Sequence, residues 1–442
     1  MKKTLVFVFL AIAIVTCTIL FVNRTPKKEL PLQEQALEVL SKGGCTVCHS
    51  QTPDFPWYHS MPTMKKMIEE SANEGVRAFD MDAALSQLDS QDGMSLPNVL
   101  RIEMIAENGA MPPKHFSILN WKAKLTKKEA SIVQDWGKKY RRNIYPNGNA
   151  SKFKDEPISA IPDVAHLAPD YNKVPLGEAL FNDTRLSLDN SLSCASCHLL
   201  DKYGVDNEQL SDGVNDAIGT VNAPTVLNSV FNFVQFWDGR AATLAEQAAG
   251  PPVNPVEMAS ESFGQIVAKL MADKKFTDKF CKVYPEVSQE TITDAIEHYE
   301  RTLITPDGAF DTYLKGDENA ISNEAKAGYK AFKERNCAGC HCGVNVGGLS
   351  YEYLGLKNDY FADRKTDAVI DDKGHFSVTS LPYDLHRFKV PGLRNVAHTW
   401  PYFHDGTKNT LEEAVEDMAW YQEGIEISEE ETAKIVSFLK TL

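Results

Sequence analysis

A mainly α fold follows from two features of this 442-residue sequence. Apolar residues recur at helical spacing, as over 33–40, 292–303 and 411–421, while strand-like alternation is rare. A Cys-x-x-Cys-His run occurs three times, as Cys45–Cys48–His49, Cys194–Cys197–His198 and Cys337–Cys340–His341. One helical turn of this kind offers two thiols to the two vinyl groups of a haem, and the following His serves as axial ligand to the iron. Disulfides would not require a His after every pair, and zinc would want a second Cys or His pair nearby. The expected architecture is therefore three cytochrome c-like haem modules with long loops, in which the cofactor itself supplies much of each core. Cys281 and Cys342 remain over, free to pair or to stay as thiols.

The elements follow in order. After Lys2 and Lys3 the chain carries no charge over residues 4–22, enough as a helix for roughly 28 Å of bilayer. This stretch is expected to be an uncleaved transmembrane anchor, with a cleaved signal as the alternative. Covalent c-type haem is attached outside the cytoplasm, so the body is expected to be periplasmic. Residues 36–145 form the first haem module, closing on an amphipathic helix with Thr126 as N-cap and Ile132, Val133 and Trp136 on its apolar face. Residues 146–165, rich in Pro, Gly, Asn and Ser, predict a linker. The second and third modules are expected over 166–320 and 321–442.

Lys and Arg total 46 against 61 Asp and Glu, a formal charge of -15. Such a surface repels nucleic acid backbones. It suits a small neutral substrate or a basic protein partner.

From about residue 175 onward the chain resembles the bacterial dihaem cytochrome c peroxidase family. The matching stretches are LGEALFNDTRLS, NAPTVLNSVFNFVQFWDGRAATLAEQA, NPVEM, FKVPGLRNVAHTWPYFHDG and TLEEAVEDMAWYQ. The first module resembles a small haem-binding domain family through CTVCHSQTPDFPWY and NGAMPPKHF. The combination looks like the three-haem, membrane-anchored quinol peroxidases.

The resemblance implies a role for each iron. His341 and Met418 would ligate an electron-transferring haem, although Met418 also shares an apolar helix face with Leu411 and Val415. His49 has His59, Met61, Met64, Met67, Met94, Met104, Met111 and His115 as candidate partners. Met111 is favoured because Gly-Ala-Met-Pro-Pro is extended and rigid. His198 would hold the peroxidatic haem. Family members often carry a distal His in the loop after this motif, but here the matching position is Val214, and no His occurs between His198 and His298. A valine cannot ligate iron, so an open coordination position is expected even in the oxidised protein.

The family's acid–base carboxylate matches Glu257, and the residue expected to hydrogen-bond it matches Gln247. Trp237 matches a ring placed between the two haems, and Asn222, Thr399 and Pro401 match oxygen ligands of a Ca²⁺ ion. The implied function is reduction of hydrogen peroxide to water, with electrons from a quinol or a small cytochrome c. A homodimer is expected from the resemblance alone. Two rivals are a multihaem electron carrier without peroxidase activity and a dihaem protein-modifying oxidase, whose branch has Tyr in place of the distal Met.

Overall fold

The computed structural model describes residues 16–17, 25–109, 111–113, 116–117, 120, 123–145, 153, 155–364 and 369–442. The chain divides into two compact units, Met1–Pro146 and Asn147–Leu442. Both are built from helices and loops. Among the described residues the strands comprise one antiparallel pair, β1 (Tyr351–Tyr353) and β2 (Arg387–Lys389), with Glu352 opposite Phe388.

In the first unit α1 (Leu32–Gly43) leads into the first attachment turn, α2 (Pro62–Ala78) and α3 (Leu96–Asn108) follow, and α4 (Lys127–Ile144) closes the unit. Thr126 caps α4 as expected: its hydroxyl accepts from the Glu129 N–H while the Glu129 carboxylate accepts from the Thr126 N–H. Val133 and Trp136 are buried in a core shared with Ala36, Val39 and Met94. Lys42 of α1 pairs with Glu129, tying the first helix to the last.

The second unit repeats that plan twice. In its first half α5 (Val174–Phe181) precedes the attachment turn, α6 (Leu244–Ala248) and α7 (Phe263–Ala272) follow, and α8 (Gln289–Glu300) returns across α5. In its second half α9 (Asn323–Glu334) precedes the turn, α10 (Leu411–Met418) lies late in the chain, and α11 (Glu429–Leu439) returns across α9. Both crossings are made at a glycine. A Cβ on Gly177 would stand 1.9 Å from the Ala295 carbonyl oxygen, and one on Gly328 would stand 1.8 Å from that of Lys434. Four residues after each glycine, Phe181 and Phe332 are buried at 1% and 3% exposure. Each such burial is worth about 1.5–3 kcal/mol.

Part of the expected linker is docked instead. Ile158 pairs with Gly343 as a parallel bridge, Ser159 donates its N–H to Gly343 and accepts from Arg394, and Glu156 pairs with Lys333. Ile158 and Ile161 are buried at 1% and 3%. Two buried apolar side chains, a main-chain bridge and an ion pair thus bind this Pro- and Ser-rich stretch to the second unit. Among the described residues no helix is long and apolar enough to cross a membrane. The expected anchor, 4–22, lies outside them except for Thr16 and Cys17.

Candidate functional site

The three attachment turns are built alike. The His N–H donates to the carbonyl of the first Cys in each, at 3.0 Å for His49, 3.0 Å for His198 and 2.9 Å for His341. This one-turn helix puts the first Cys and the His on a common side. Each imidazole is then tethered through Nδ1 to a backbone carbonyl: His49 to Phe79 at 2.9 Å, His198 to Gly204 at 3.2 Å, and His341 to Val346 at 3.3 Å. A carbonyl can only accept, so the ring proton is fixed on Nδ1 and the Nε2 lone pair is left for a metal. Burial lowers all three imidazole pKa values, that of His341 to about 4, which keeps the rings neutral.

The attachment cysteines are free of disulfides. Burial pushes Cys45 and Cys197 up to about 11 and Cys194 up to about 12, and raises Cys48 and Cys337 as well. Zinc would need thiolates, and among the described residues no three Cys, His, Asp or Glu converge as a cage for an ion. Paired thiols, a tethered neutral His and a one-turn helix fit covalent haem.

The side of the second module where substrate is expected is formed by two backbone segments. Val214 is 3% exposed, and its N–H donates to the Glu257 carbonyl at 2.8 Å. Next to it a Cβ on Gly213 would stand 2.2 Å from the Val256 carbonyl oxygen, so only glycine permits this approach. The 212–218 loop, closed by a bridge between Asp212 and Ile218, is thus laid against the backbone that carries Glu257. The Glu257 charge is felt at both Cys194 and Cys197 of this attachment turn. Burial pushes that carboxyl above its ordinary value, opposed by Arg240 and by a hydrogen bond from Asn254 and reinforced by Asp371.

Gln247 is not the hydrogen-bonding partner of Glu257. The partner is Asn254, whose Nδ2 donates to Oε1 at 2.7 Å. Asn254 precedes Glu257 by three residues in one tight turn, whereas Gln247 lies on α6 and has no bond to Glu257 among the described residues. The Asn-x-x-Glu spacing within NPVE was the available signal. Arg240 and Asp371 also went unforeseen as electrostatic neighbours of Glu257, although Arg240 stands in the quoted WDGR run.

Met418 ends α10 half-buried and packs against the buried cluster of Leu354, Tyr360 and Phe388, as do Trp237, Phe403 and Tyr421. A π-helical turn, Ala419–Glu423, follows it directly. Such turns are rare and occur often at functional sites. Trp237 links the two halves of the second unit: its Nε1 donates to the Asn222 carbonyl at 2.9 Å, and its own carbonyl accepts from Lys389 at 2.8 Å. Asn222 is buried, donates its N–H to the His404 carbonyl at 2.8 Å and its Nδ2 to the Glu208 carbonyl at 3.0 Å. Asn207 Nδ2 donates to the carbonyls of His398 and Trp400. Asn222 therefore stands beside the turn that contains Thr399 and Pro401. His404 is a structural group, bonded through Nε2 to Asp372 at 2.9 Å. Asp372 in turn binds Arg364, which also binds Asp405.

In the first unit Met111 is 38% exposed, and His115 lies outside the described residues. Met64 and Met67 of α2 line an apolar cavity beside Cys48 with Tyr58, Ile68 and Phe116. His59 is bonded to Glu69, and Met94 is fully buried.

Residues 171–319 match the family described as di-haem cytochrome c peroxidase, residues 7–139 a haem-binding domain, and residues 325–442 cytochrome c. The cytochrome c peroxidase Ccp of Escherichia coli strain K12 is 44% identical over 410 residues, covering 92% of this chain and 87% of that protein. The cytochrome c551 peroxidase of Nitrosomonas europaea is 45% identical over 291 residues, covering 65% and 83%. A crystal structure of a MauG-like protein associated with microbial copper homeostasis superposes with a TM-score of 0.56 at 28% identity, covering 65% of this chain and 93% of that one. The chain belongs to the di-haem cytochrome c peroxidase family, haem oxidoreductases that act on hydrogen peroxide, and carries an N-terminal haem-binding domain in addition.

Proposed function

We propose that this protein is a three-haem periplasmic peroxidase in which His198 would hold the haem that meets peroxide, and the chain supplies no second ligating side chain there. The observation that carries this reading is Val214, a residue unable to ligate, buried against the backbone of Glu257 where relatives often hold a distal His. Cys45, Cys48 and His49 would hold the first haem, Cys194, Cys197 and His198 the second, and Cys337, Cys340 and His341 the third. Met418 would complete the third haem and Met111 the first. Bound haem supplies the redox chemistry, by which hydrogen peroxide, two electrons and two protons give two waters.

Glu257 takes a proton from one peroxide oxygen and returns it to the oxygen that leaves, help worth on the order of a hundredfold to ten-thousandfold. Its raised pKa brings it closer to the working pH than an exposed Glu. Asn254 orients the carboxylate by holding Oε1. Trp237 lies where electrons would cross between the halves of the second unit, and Asn222 with the carbonyls of Thr399 and Pro401 would hold Ca²⁺ at that crossing.

Electrons would enter at the His49 haem and pass through the His341 haem. The donor would be a quinol, if residues 4–22 anchor the protein to the inner membrane, or a small basic cytochrome c drawn by the charge of -15. A protein released by cleavage of that segment would favour the cytochrome. A homodimer belongs to the same proposal. Peroxide turnover of the fully oxidised protein, mixed with a reduced dye and no prior half-reduction, tests the reading. Immediate turnover is expected; a lag abolished by pre-reduction contradicts it.

A further inference from the structure

Glu300 ends α8 at 4% exposure, yet its Oε2 has no hydrogen-bond partner. Ile296 and Tyr299 of the same helix belong, with Leu180, to the buried core against which Cys194 and Ala195 of the attachment turn pack. The charge of Glu300 is felt at Cys194 more strongly than that of Cys197 or Glu257. A buried, unpartnered carboxyl therefore ends the helix whose Ile296 and Tyr299 belong to the core that backs the attachment turn of the second haem.

No cation offsets it among the described residues. On its own helix Glu297 repels it and is occupied by Arg301. Glu178 of α5 acts on the intervening Tyr299, Glu246 of α6 is bonded to the Ala242 N–H, and Glu257 lies beyond Cys194. Burial, reinforced by Glu297, pushes Glu300 up to about 8. The corresponding edge of the third module differs: Glu423, the carboxylate felt at Cys337, is only half-buried and has Arg335 to offset it.

We propose that Glu300 is the redox-linked proton acceptor of the His198 haem, taking one proton from solvent when that haem is reduced and releasing it when the haem is oxidised. One electron arrives along the haem chain and one proton converts the Glu300 carboxylate to the acid, so the net charge of the buried site is unchanged. An added electron favours the neutral acid, and by linkage a neutral acid favours the added electron. Nothing in this step requires peroxide, so it stands or falls separately from the peroxidase reading.

The test is spectroelectrochemical titration of the holoprotein between about pH 6 and 9. In the wild type the midpoint potential of the His198 haem should stay level below about pH 8, where Glu300 is already the acid, and fall as pH rises beyond it. In Glu300→Gln it should lie flat, with the His341 haem unchanged in both. A Gln variant that keeps the wild-type slope, or a wild type without one, overturns the proposal. Should the Gln variant fail to take up haem, redox-difference infrared spectra of the wild type decide: a carboxylic acid carbonyl band must grow on reduction of this haem and move in Glu300→Asp, and its absence overturns the proposal equally.

Discussion

The two halves of the second unit share a scaffold and differ in the residues their loops add to it. Each has a leading helix, an attachment turn and a closing helix that crosses the first at a glycine, Gly177 on Ala295 or Gly328 on Lys434. Each holds its imidazole by Nδ1 on a carbonyl a few residues downstream. Beyond that the second half offers a thioether, Met418, set among aromatic rings and followed by a π turn. The first half offers Val214, which cannot ligate, and a carboxylate with a raised pKa. The shared frame prepares an imidazole in both halves, and on the proposed reading the loops added to it would decide whether an iron held there carries electrons or meets a substrate.

The comparison can be broken from its reactive side first. Glu257→Gln should lower peroxide turnover at least about a hundredfold while the haem spectra stay nearly unchanged, since only a proton carrier is removed. Val214→His gives the first half a ligand like that of the second. The oxidised protein should then gain a low-spin haem and lose roughly tenfold in initial turnover, recovered on half-reduction. A well-packed site makes room for the larger ring at a cost of about 1–3 kcal/mol, readable as a lower Tm. Met418→Ala works in the opposite direction, removing the proposed ligand from the second half. The potential of the His341 haem should fall and electron delivery slow by roughly severalfold, with peroxide binding at the His198 haem unaffected.

The smallest effect is one of pH. Glu257 must be ionised to accept a proton, and its pKa lies above the ordinary value. Turnover should therefore fall on acidification at a higher pH than the value of about 4.3 for a free Glu. The acid limb should vanish from the residual activity of the Gln variant.

Local chemistry was legible in the sequence where a residue's role depends on its near neighbours. Thr126 caps its helix because Glu129 follows three residues later, and the attachment turns follow from the Cys-x-x-Cys-His spacing. Roles set by tertiary approach were not. Gln247 matches a family position, but the carboxylate bends to Asn254 within its own turn. Ile158 and Ile161 look isolated in a linker until Gly343 supplies a main-chain partner. The π turn after Met418 leaves the apolar periodicity of the preceding helix unaltered. Glu300 gives no sign in the text that its carboxyl ends up without a partner, because an acidic residue at a helix end is ordinarily solvated.

The central claim concerns the coordination of one iron in the resting state. An electron paramagnetic resonance spectrum of the fully oxidised holoprotein should show a high-spin ferric signal from the His198 haem that responds to a small exogenous ligand such as azide, alongside low-spin signals from the other two. Three low-spin haems, none perturbed by azide and with no peroxide consumed, would contradict the account.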